Sequence, residues 1–262
     1  MKFVPAVILL LIAGCAAPGK KEPVSMQGAY KMRSVGFKTD KSDTTYTNST
    51  QMKIYTEGFM MYASVNAPDS VGGFGVAAYS TDQDSVTENS LFTAYDSSSS
   101  DKPQTFRLGI EKKANGYKQV IAGMQGRGGG TFDLTEVYEN AGTAVTTPLD
   151  GAWKMTKRYY FKGKDTTPTT AIQYKTYFAG NCIWGSFWKD SLQKGHTAMG
   201  FGKFAMNGDH KIKESMTAST FRAVRGHEFD IDLDMMGKDA YRQTMDVGGG
   251  YKSVEEYERL KK

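Results

Sequence analysis

The sequence contains few of the residues on which metal sites and most enzymes depend. Among 262 residues there are two cysteines and three histidines. A metal site usually needs several histidine, cysteine or carboxylate ligands that converge, and the three histidines, His196, His210 and His227, are dispersed in the second half of the chain. We therefore expect no metal and no cofactor.

Catalytic and nucleic-acid-binding signatures are also missing. There is no Gly-x-Ser-x-Gly segment, and the glycine-rich segments 126–130 and 248–250 lack the Gly-Lys-Ser/Thr of a phosphate-binding loop, so they indicate wide turns. The net charge is +5, but the lysines alternate with acids and form no basic stripe of the kind that nucleic acid requires. The sequence predicts a protein that is not an enzyme and has no nucleic-acid partner.

One acidic segment follows His227. It places aspartates at alternate positions, which would share one face of a strand: Asp230, Asp232 and Asp234. This face is either a solvated outer surface, which we favour, or a weak cation site. A hydrolase would need His196 or His227 to converge with acids in a cleft.

The N-terminus carries a recognisable signal. Lys2 precedes an apolar run at 3–12, which is too short to span a bilayer as a helix, and the run ends in Leu11-Ile12-Ala13-Gly14-Cys15. This segment resembles the lipobox of bacterial lipoproteins, in which the cysteine is diacylated and becomes the mature N-terminus. The resemblance implies a signal peptide at 1–14 and a membrane anchor at Cys15. The alternative is an ordinary secretory peptide cleaved near Ala16 or Ala17.

The segment 15–25 predicts a flexible tether, because Pro18, Gly19 and Pro23 resist regular structure. The residue after Cys15 is alanine rather than aspartate, which by resemblance to lipoprotein sorting favours the outer membrane. Cys182 would then have no cysteine partner. It lies in an apolar run, where a buried hydrophobic role is more typical than that of a catalytic thiolate.

The remainder of the chain is duplicated. Gly28-Ala-Tyr-Lys-Met32 recurs as Gly151-Ala-Trp-Lys-Met155, and Gln51-Met-Lys-Ile-Tyr55 recurs as Gln173-Tyr-Lys-Thr-Tyr177. Three further matches follow in the same order: Phe74-Gly75 with Phe201-Gly202, Tyr117-Lys118-Gln119 with Tyr241-Arg242-Gln243, and Gly128–Gly130 plus Glu136 with Gly248–Gly250 plus Glu256. We predict two domains, 26–139 and 149–262, joined by a small polar linker at 140–148.

Each unit has the pattern of antiparallel β-structure. Apolar residues alternate with polar ones in segments such as 106–110 and 229–233, and Asn, Gly and Asp mark the turns between them. A unit of this length accommodates about eight to ten strands, a number that tends to close into a barrel. The ends of the units, 133–139 and 253–260, are consistent with either a short helix or a final strand.

Gly151-Ala-Trp153 resembles the Gly-x-Trp motif of the lipocalin and calycin superfamily, and both units resemble lipocalin-like domains of Bacteroidetes lipoproteins. The first unit departs from the motif, with Tyr30 two residues after Gly28. The resemblance implies two tandem lipocalin-like barrels, each plugged at its closed end by Tyr30 or Trp153. It also implies a basic residue packed over each plug, for which we expect Arg242 and Lys118.

The strand at 182–188 is apolar on both faces, with Cys182, Trp184 and Trp188 on one and Ile183 and Phe187 on the other. Either the two barrels pack against each other there, or aromatic side chains line a cavity. The predicted cavity residues are Tyr62, Phe74, Trp184, Trp188 and Phe201. We expect non-catalytic binding of a small apolar ligand; the alternative is an interaction module that displays loops to an envelope protein or glycan, and the oligomeric state stays open.

Overall fold

The computed structural model describes residues 23–66, 70–126 and 129–262, so the predicted signal peptide and Cys15 lie outside the described residues. The expected all-β fold is confirmed. The only helix in the described part of the chain is a 3₁₀ turn at Arg222–Val224. The strands form two closed antiparallel barrels in tandem, as the duplication predicted.

Barrel 1 is built from the first unit. Eight strands form its wall, and the barrel closes where the last strand pairs with the first. Two short strands, β2 and β7, lie outside the wall, beside β1 and β6. The strands are β1 (Gly28–Lys38), β2 (Asp43–Tyr46), β3 (Gln51–Tyr55), β4 (Phe59–Asn66), β5 (Val71–Thr81), β6 (Ser85–Tyr95), β7 (Ser98–Ser100), β8 (Thr105–Lys113), β9 (Gly116–Gln125) and β10 (Thr131–Asn140).

Barrel 2 repeats this plan with one accessory strand, β12, beside its first strand. It closes in the same way, by pairing of β19 with β11. Its strands are β11 (Gly151–Lys162), β12 (Asp165–Pro168), β13 (Ile172–Phe178), β14 (Asn181–Lys189), β15 (Gly195–Met206), β16 (Lys211–Ser219), β17 (Glu228–Met235), β18 (Ala240–Gly248) and β19 (Tyr251–Arg259).

The end of each unit is a strand, so the helical alternative for 133–139 and 253–260 is wrong. β10 pairs with β9 on one side and β1 on the other, and β19 pairs likewise with β18 and β11. Closure of the barrel satisfies the backbone groups on both sides of the last strand, which outweighs the weak helical tendency of its glutamates.

The pairing register corrects two of the predicted repeat matches. Tyr62 lies opposite Gly75 and Trp184 lies opposite Gly200, so the counterpart of Gly75 is Gly200 and not Gly202. The pairing of β15 with β16 has a β-bulge between Phe201 and Gly202, which skips Thr217 of β16, and the pairing of β5 with β6 has an equivalent bulge. Glu136 likewise corresponds to Glu255, and not to Glu256.

A hydrophobic core joins the two barrels and covers the outer faces of β4 and β14. Met61 and Phe74 of barrel 1 pack in one buried cluster with Ile183, Phe187 and Met199 of barrel 2. This confirms that barrel–barrel packing explains the strand with two apolar faces. Two further clusters fill the interiors of the individual barrels.

Both barrels open on the same side of the molecule. At the mouths, Arg225 Nη2 of barrel 2 donates to Ser70 Oγ of barrel 1 at 3.2 Å. At the opposite, closed ends, the connection between the barrels is fixed by Asn181 Nδ2, which donates to the carbonyl of Ala141 at 3.1 Å. Since β1 begins at the closed end, the N-terminal segment enters barrel 1 on the side away from the mouths.

Candidate ligand-binding site

Each barrel contains a buried lysine that is paired with a glutamate from a distant strand. In barrel 1, Lys53 Nζ lies 3.3 Å from both Glu88 Oε1 and Gln119 Oε1. Tyr55 also donates to Glu88 Oε1, at 2.6 Å. These side chains are almost fully buried, and buried charges persist only when they are paired and hydrogen-bonded.

Barrel 2 repeats this arrangement residue for residue. Lys175 Nζ lies 2.9 Å from Glu214 Oε1 and 3.1 Å from Gln243 Oε1. Tyr177 donates to the same glutamate. Burial of the Tyr177 hydroxyl, together with the neighbouring negative charge, raises its pKa well above the ordinary value, so it remains a donor at physiological pH.

A second glutamate in each barrel is held by two glutamines and a tyrosine. In barrel 2, Glu255 Oε2 accepts from Gln173 Nε2 at 3.1 Å, from Gln243 Nε2 at 2.7 Å and from Tyr257 at 2.6 Å. In barrel 1 the same role falls to Glu136, which accepts from the equivalent donors: Gln51, Gln119 and Tyr138.

The sequence revealed the Gln-x-Lys-x-Tyr repeat but did not predict that its side chains form a buried charged network. The available signal was the placement of charged residues at inward positions: Lys53 and Lys175 alternate with polar and aromatic neighbours in the buried stretches of β3 and β13. A lysine at such a position needs an internal carboxylate.

The two barrels differ at one position beside the second glutamate. Arg158 of β11 lies opposite Glu255, and Val35 of β1 lies opposite Glu136. Arg158 Nε is 3.3 Å from Glu255 Oε1. Val35 supplies no such cation to Glu136, and burial raises the pKa of Glu136 although Lys53 partly opposes the shift.

The barrel 2 cavity has a volume of about 660 Å³. Its walls carry the two tryptophans of β14, Trp184 and Trp188, and its floor carries the charged side chains of the buried network. Phe221, Ala223 and Val224 cover part of its mouth, on the segment that contains the 3₁₀ turn. The Phe221 ring centroid lies 6.1 Å from that of Trp184 and 6.3 Å from that of Trp188.

The barrel 1 cavity is smaller, about 410 Å³, and more polar at its mouth. Its lining includes Tyr62 and Glu88 within the barrel. The serines of β7, Ser98–Ser100, stand where barrel 2 has its apolar segment.

The structure brings three of the five predicted cavity residues into the cavities. Trp184 and Trp188 line the barrel 2 cavity, and Tyr62 lines the barrel 1 cavity. Phe74 and Phe201 instead belong to the core between the barrels, where both are essentially inaccessible to solvent. Residues that face inwards and residues that face the partner barrel alternate along these strands, so aromatic character alone did not distinguish them.

The closed end of barrel 2 contains the predicted plug. Trp153 is fully buried and its Nε1 donates to the carbonyl of Leu149 at 2.8 Å. Gly151 has a positive φ, and a Cβ built there would lie 2.0 Å from Arg259 Nη1. The glycine of the motif therefore makes room for an arginine.

The basic residue over the plug is Arg259, and the prediction of Arg242 was wrong. The Arg259 guanidinium lies 4.1 Å from the centroid of the Trp153 ring. Arg242 instead pairs with Glu256 on the barrel surface at 3.0 Å. In barrel 1 the prediction of Lys118 fails too: its side chain is partly exposed and nearest to Glu111. Asn140 occupies the position that corresponds to Arg259.

The structure also places the remaining candidate residues of the sequence analysis, which are a cysteine, a histidine and three aspartates. Cys182 is buried, and burial raises the pKa of its thiol well above the ordinary value, so a thiolate is disfavoured. His196 Nε2 lies 2.9 Å from Asp190 Oδ2 on the surface. The three aspartates after His227 face solvent, and two of them pair with Lys211 and Lys213. No group of residues suited to a metal ion occurs in the described ranges.

Comparisons with known proteins assign no function to this site. No protein-family model matches the chain, and no curated protein matches its sequence. A solved structure that is similar to it belongs to a protein of unknown function from the DUF3598 family of Nostoc punctiforme. The likeness covers 89% of this chain and 96% of that chain, at 9% identity and a TM-score of 0.25. The fold assignment therefore rests on the strand topology of this chain.

Within the described residues, no helix has the length and apolar character needed to cross a membrane.

Proposed function

We propose that this protein is a non-catalytic binding protein that takes up a small, largely apolar molecule in the barrel 2 cavity. The observation that carries this proposal is a cavity of about 660 Å³ walled by Trp184 and Trp188 and partly covered by Phe221. Concave sites of this size, lined by aromatic side chains with a few polar groups, are typical of small-molecule binding.

The proposal includes attachment to the outer membrane through lipid on Cys15. Its support is the lipobox-like sequence that ends at Cys15. The N-terminal segment enters barrel 1 at the closed end, so an anchored protein could direct both mouths away from the membrane. The Cys15→Ser variant is expected in the soluble fraction, and its retention in the membrane would contradict the anchor.

The barrel 2 cavity can be tested with N-phenylnaphthylamine, an uncharged fluorescent probe. All three tryptophans of the chain lie in barrel 2, so energy transfer from tryptophan to the probe reports binding close to Trp184 and Trp188. We expect saturable transfer with the full-length Cys15→Ser protein.

Two equivalent serines provide a matched pair of variants. Ser186 lies opposite Gln173 in barrel 2, and Ser64 lies opposite Gln51 in barrel 1. A leucine at Ser186 would project into the barrel 2 cavity beside Trp184 and Trp188 and obstruct the probe there, so Ser186→Leu should weaken probe binding by about tenfold or more, whereas Ser64→Leu should leave it unchanged. Absence of saturable binding to the parent protein would overturn the proposed function.

The alternative of an interaction module has less support. An apolar patch left exposed across both units would have favoured it. The apolar outer faces of β4 and β14 are instead buried between the barrels.

A further inference from the structure

The barrel 2 cavity contains buried hydroxyl groups that lack a partner. Ser186 is 3% exposed, lines the cavity, and its Oγ makes no hydrogen bond within the described part of the chain. Thr169 Oγ1, also at the cavity, is buried and unpaired in the same way. Buried polar groups in folded proteins are almost always hydrogen-bonded, and these two differ from the other unpaired hydroxyls of the described residues in that they line a cavity that a partner can enter.

The guanidinium of Arg158 has unused donors at the same place. An arginine carries five N–H groups, and Arg158 donates one of them to the hydroxyl of Tyr160. Its Nε lies 3.3 Å from Glu255 Oε1 but is not aligned for a hydrogen bond. The backbone N–H of Thr169 donates to the carbonyl of Arg158 at 3.1 Å, so the two residues are direct neighbours.

In each of the two cavity carboxylates, one oxygen already has its donors. Glu255 accepts hydrogen bonds from two glutamines and Tyr257 through Oε2. Glu214 is paired with Lys175 and Tyr177. Hydroxyl groups can donate or accept, but the N–H groups of Arg158 can only donate, so a ligand group that completes all three residues must accept hydrogen bonds.

Building on the proposed function, we infer that the ligand of barrel 2 carries an oxyanion head group, a carboxylate or a sulfonate. The head group accepts hydrogen bonds from Arg158, Ser186 and Thr169. The apolar body of the ligand lies against Trp184 and Trp188, towards the mouth that Phe221 covers. Charge-assisted hydrogen bonds from a guanidinium are the strong ones in such sites.

Barrel 1 shows which side chain can replace the arginine. Val35 occupies the position of Arg158, beside the same arrangement of glutamate, glutamines and tyrosine. An Arg158→Val variant therefore places in barrel 2 a side chain that the equivalent framework of barrel 1 already accommodates.

The inference can be tested with two probes that differ in one group. Anilinonaphthalenesulfonate is N-phenylnaphthylamine with a sulfonate added, so the ratio of their affinities isolates the head group. With the full-length Cys15→Ser protein, we expect the sulfonate probe to bind more tightly than the neutral one. In Arg158→Val its affinity should fall by about tenfold or more, with the affinity of the neutral probe changed by less than about threefold.

A surface arginine provides the control. Arg242→Gln removes a guanidinium that pairs with Glu256 outside the cavity, and it should leave both affinities unchanged. Equal losses for the two probes in Arg158→Val, or no loss for either, would overturn the head-group inference while leaving apolar binding intact. Failure of both probes to bind the parent protein would instead overturn the proposed function.

Discussion

The two barrels share one internal framework but differ in what surrounds it. Each has a Lys–Glu pair, a second glutamate and one glutamine that connects them by accepting from the lysine and donating to the second glutamate. At the mouth, barrel 1 has the serines of β7, and barrel 2 has Phe221 and Val224. Beside the second glutamate, barrel 1 has Val35 and barrel 2 has Arg158.

We assign the residues that the barrels share to stability and the residues that differ to the proposed ligand binding. Because the buried network is present in both barrels, it is best understood as a part of the fold that ties distant strands together. The apolar cover, the larger volume and the unpaired donors that line a cavity occur together in barrel 2. If the proposed function holds, a change at few positions is enough to adapt one copy of a duplicated scaffold to ligand binding.

The largest effect is expected from removing the buried lysines. Lys53→Met and Lys175→Met each leave a buried glutamate without its cation, which typically costs about 3–5 kcal/mol. Lys53→Met should be the more costly of the two, because barrel 2 retains Arg158 beside Glu255, the second glutamate of its network. Urea unfolding followed by circular dichroism measures both losses. Equal losses would show that Arg158 does not act as a second cation for the network.

An intermediate effect is expected at the closed end. Arg259 lies over Trp153 and donates to the carbonyls of Asp150, Pro148 and Lys238. Arg259→Asn introduces the residue found at the equivalent position of barrel 1, Asn140, and should lower the unfolding free energy by about 2 kcal/mol.

Tryptophan fluorescence follows this change directly, because every tryptophan is in barrel 2. Arg242→Gln is the matched control, with an expected effect of less than about 1 kcal/mol, as for an exposed ion pair. A larger loss for Arg242→Gln than for Arg259→Asn would refute the assignment of Arg259.

The smallest effect is a difference in pH dependence. Burial raises the pKa of Glu136 in the folded protein above its ordinary value of 4.5. The folded state then binds this proton more tightly than the unfolded state, so the contribution to stability is present below about pH 4.5 and is lost as the pH rises through the folded pKa. Glu136→Gln should remove this loss and flatten the stability profile between acidic and neutral pH.

Glu255→Gln provides the contrast. It deprives Arg158 of its carboxylate neighbour, so it should lower stability at neutral pH rather than flatten the profile. Unfolding midpoints measured across the pH range distinguish the two outcomes, and identical profiles for both variants would remove the proposed electrostatic difference between the barrels.

Local sequence patterns were sufficient to predict the architecture of two antiparallel barrels. Period-two alternation and turn residues predicted the strands, and collinear matches predicted two copies. The strand with two apolar faces at 182–188 indicated a second contact surface, and Ile183 and Phe187 lie there. Phe74 and Phe201 were misplaced because successive side chains of a strand point to opposite faces, and the sequence does not show which face of β5 and β15 turns towards the lumen and which towards the neighbouring barrel.

The sequence by itself determined the duplication, the all-β class and the barrel closure, because these follow from collinear repeats, periodicity and strand number, while the plug at Trp153 was implied by the resemblance of Gly151-Ala-Trp153 to the Gly-x-Trp motif. Only the tertiary structure decided which charges meet. Lys53 reaches Glu88 and Gln119 from strands that are far apart in sequence, and Arg259 rather than Arg242 covers Trp153. Such pairings depend on strand register and closure, and no local pattern specifies them.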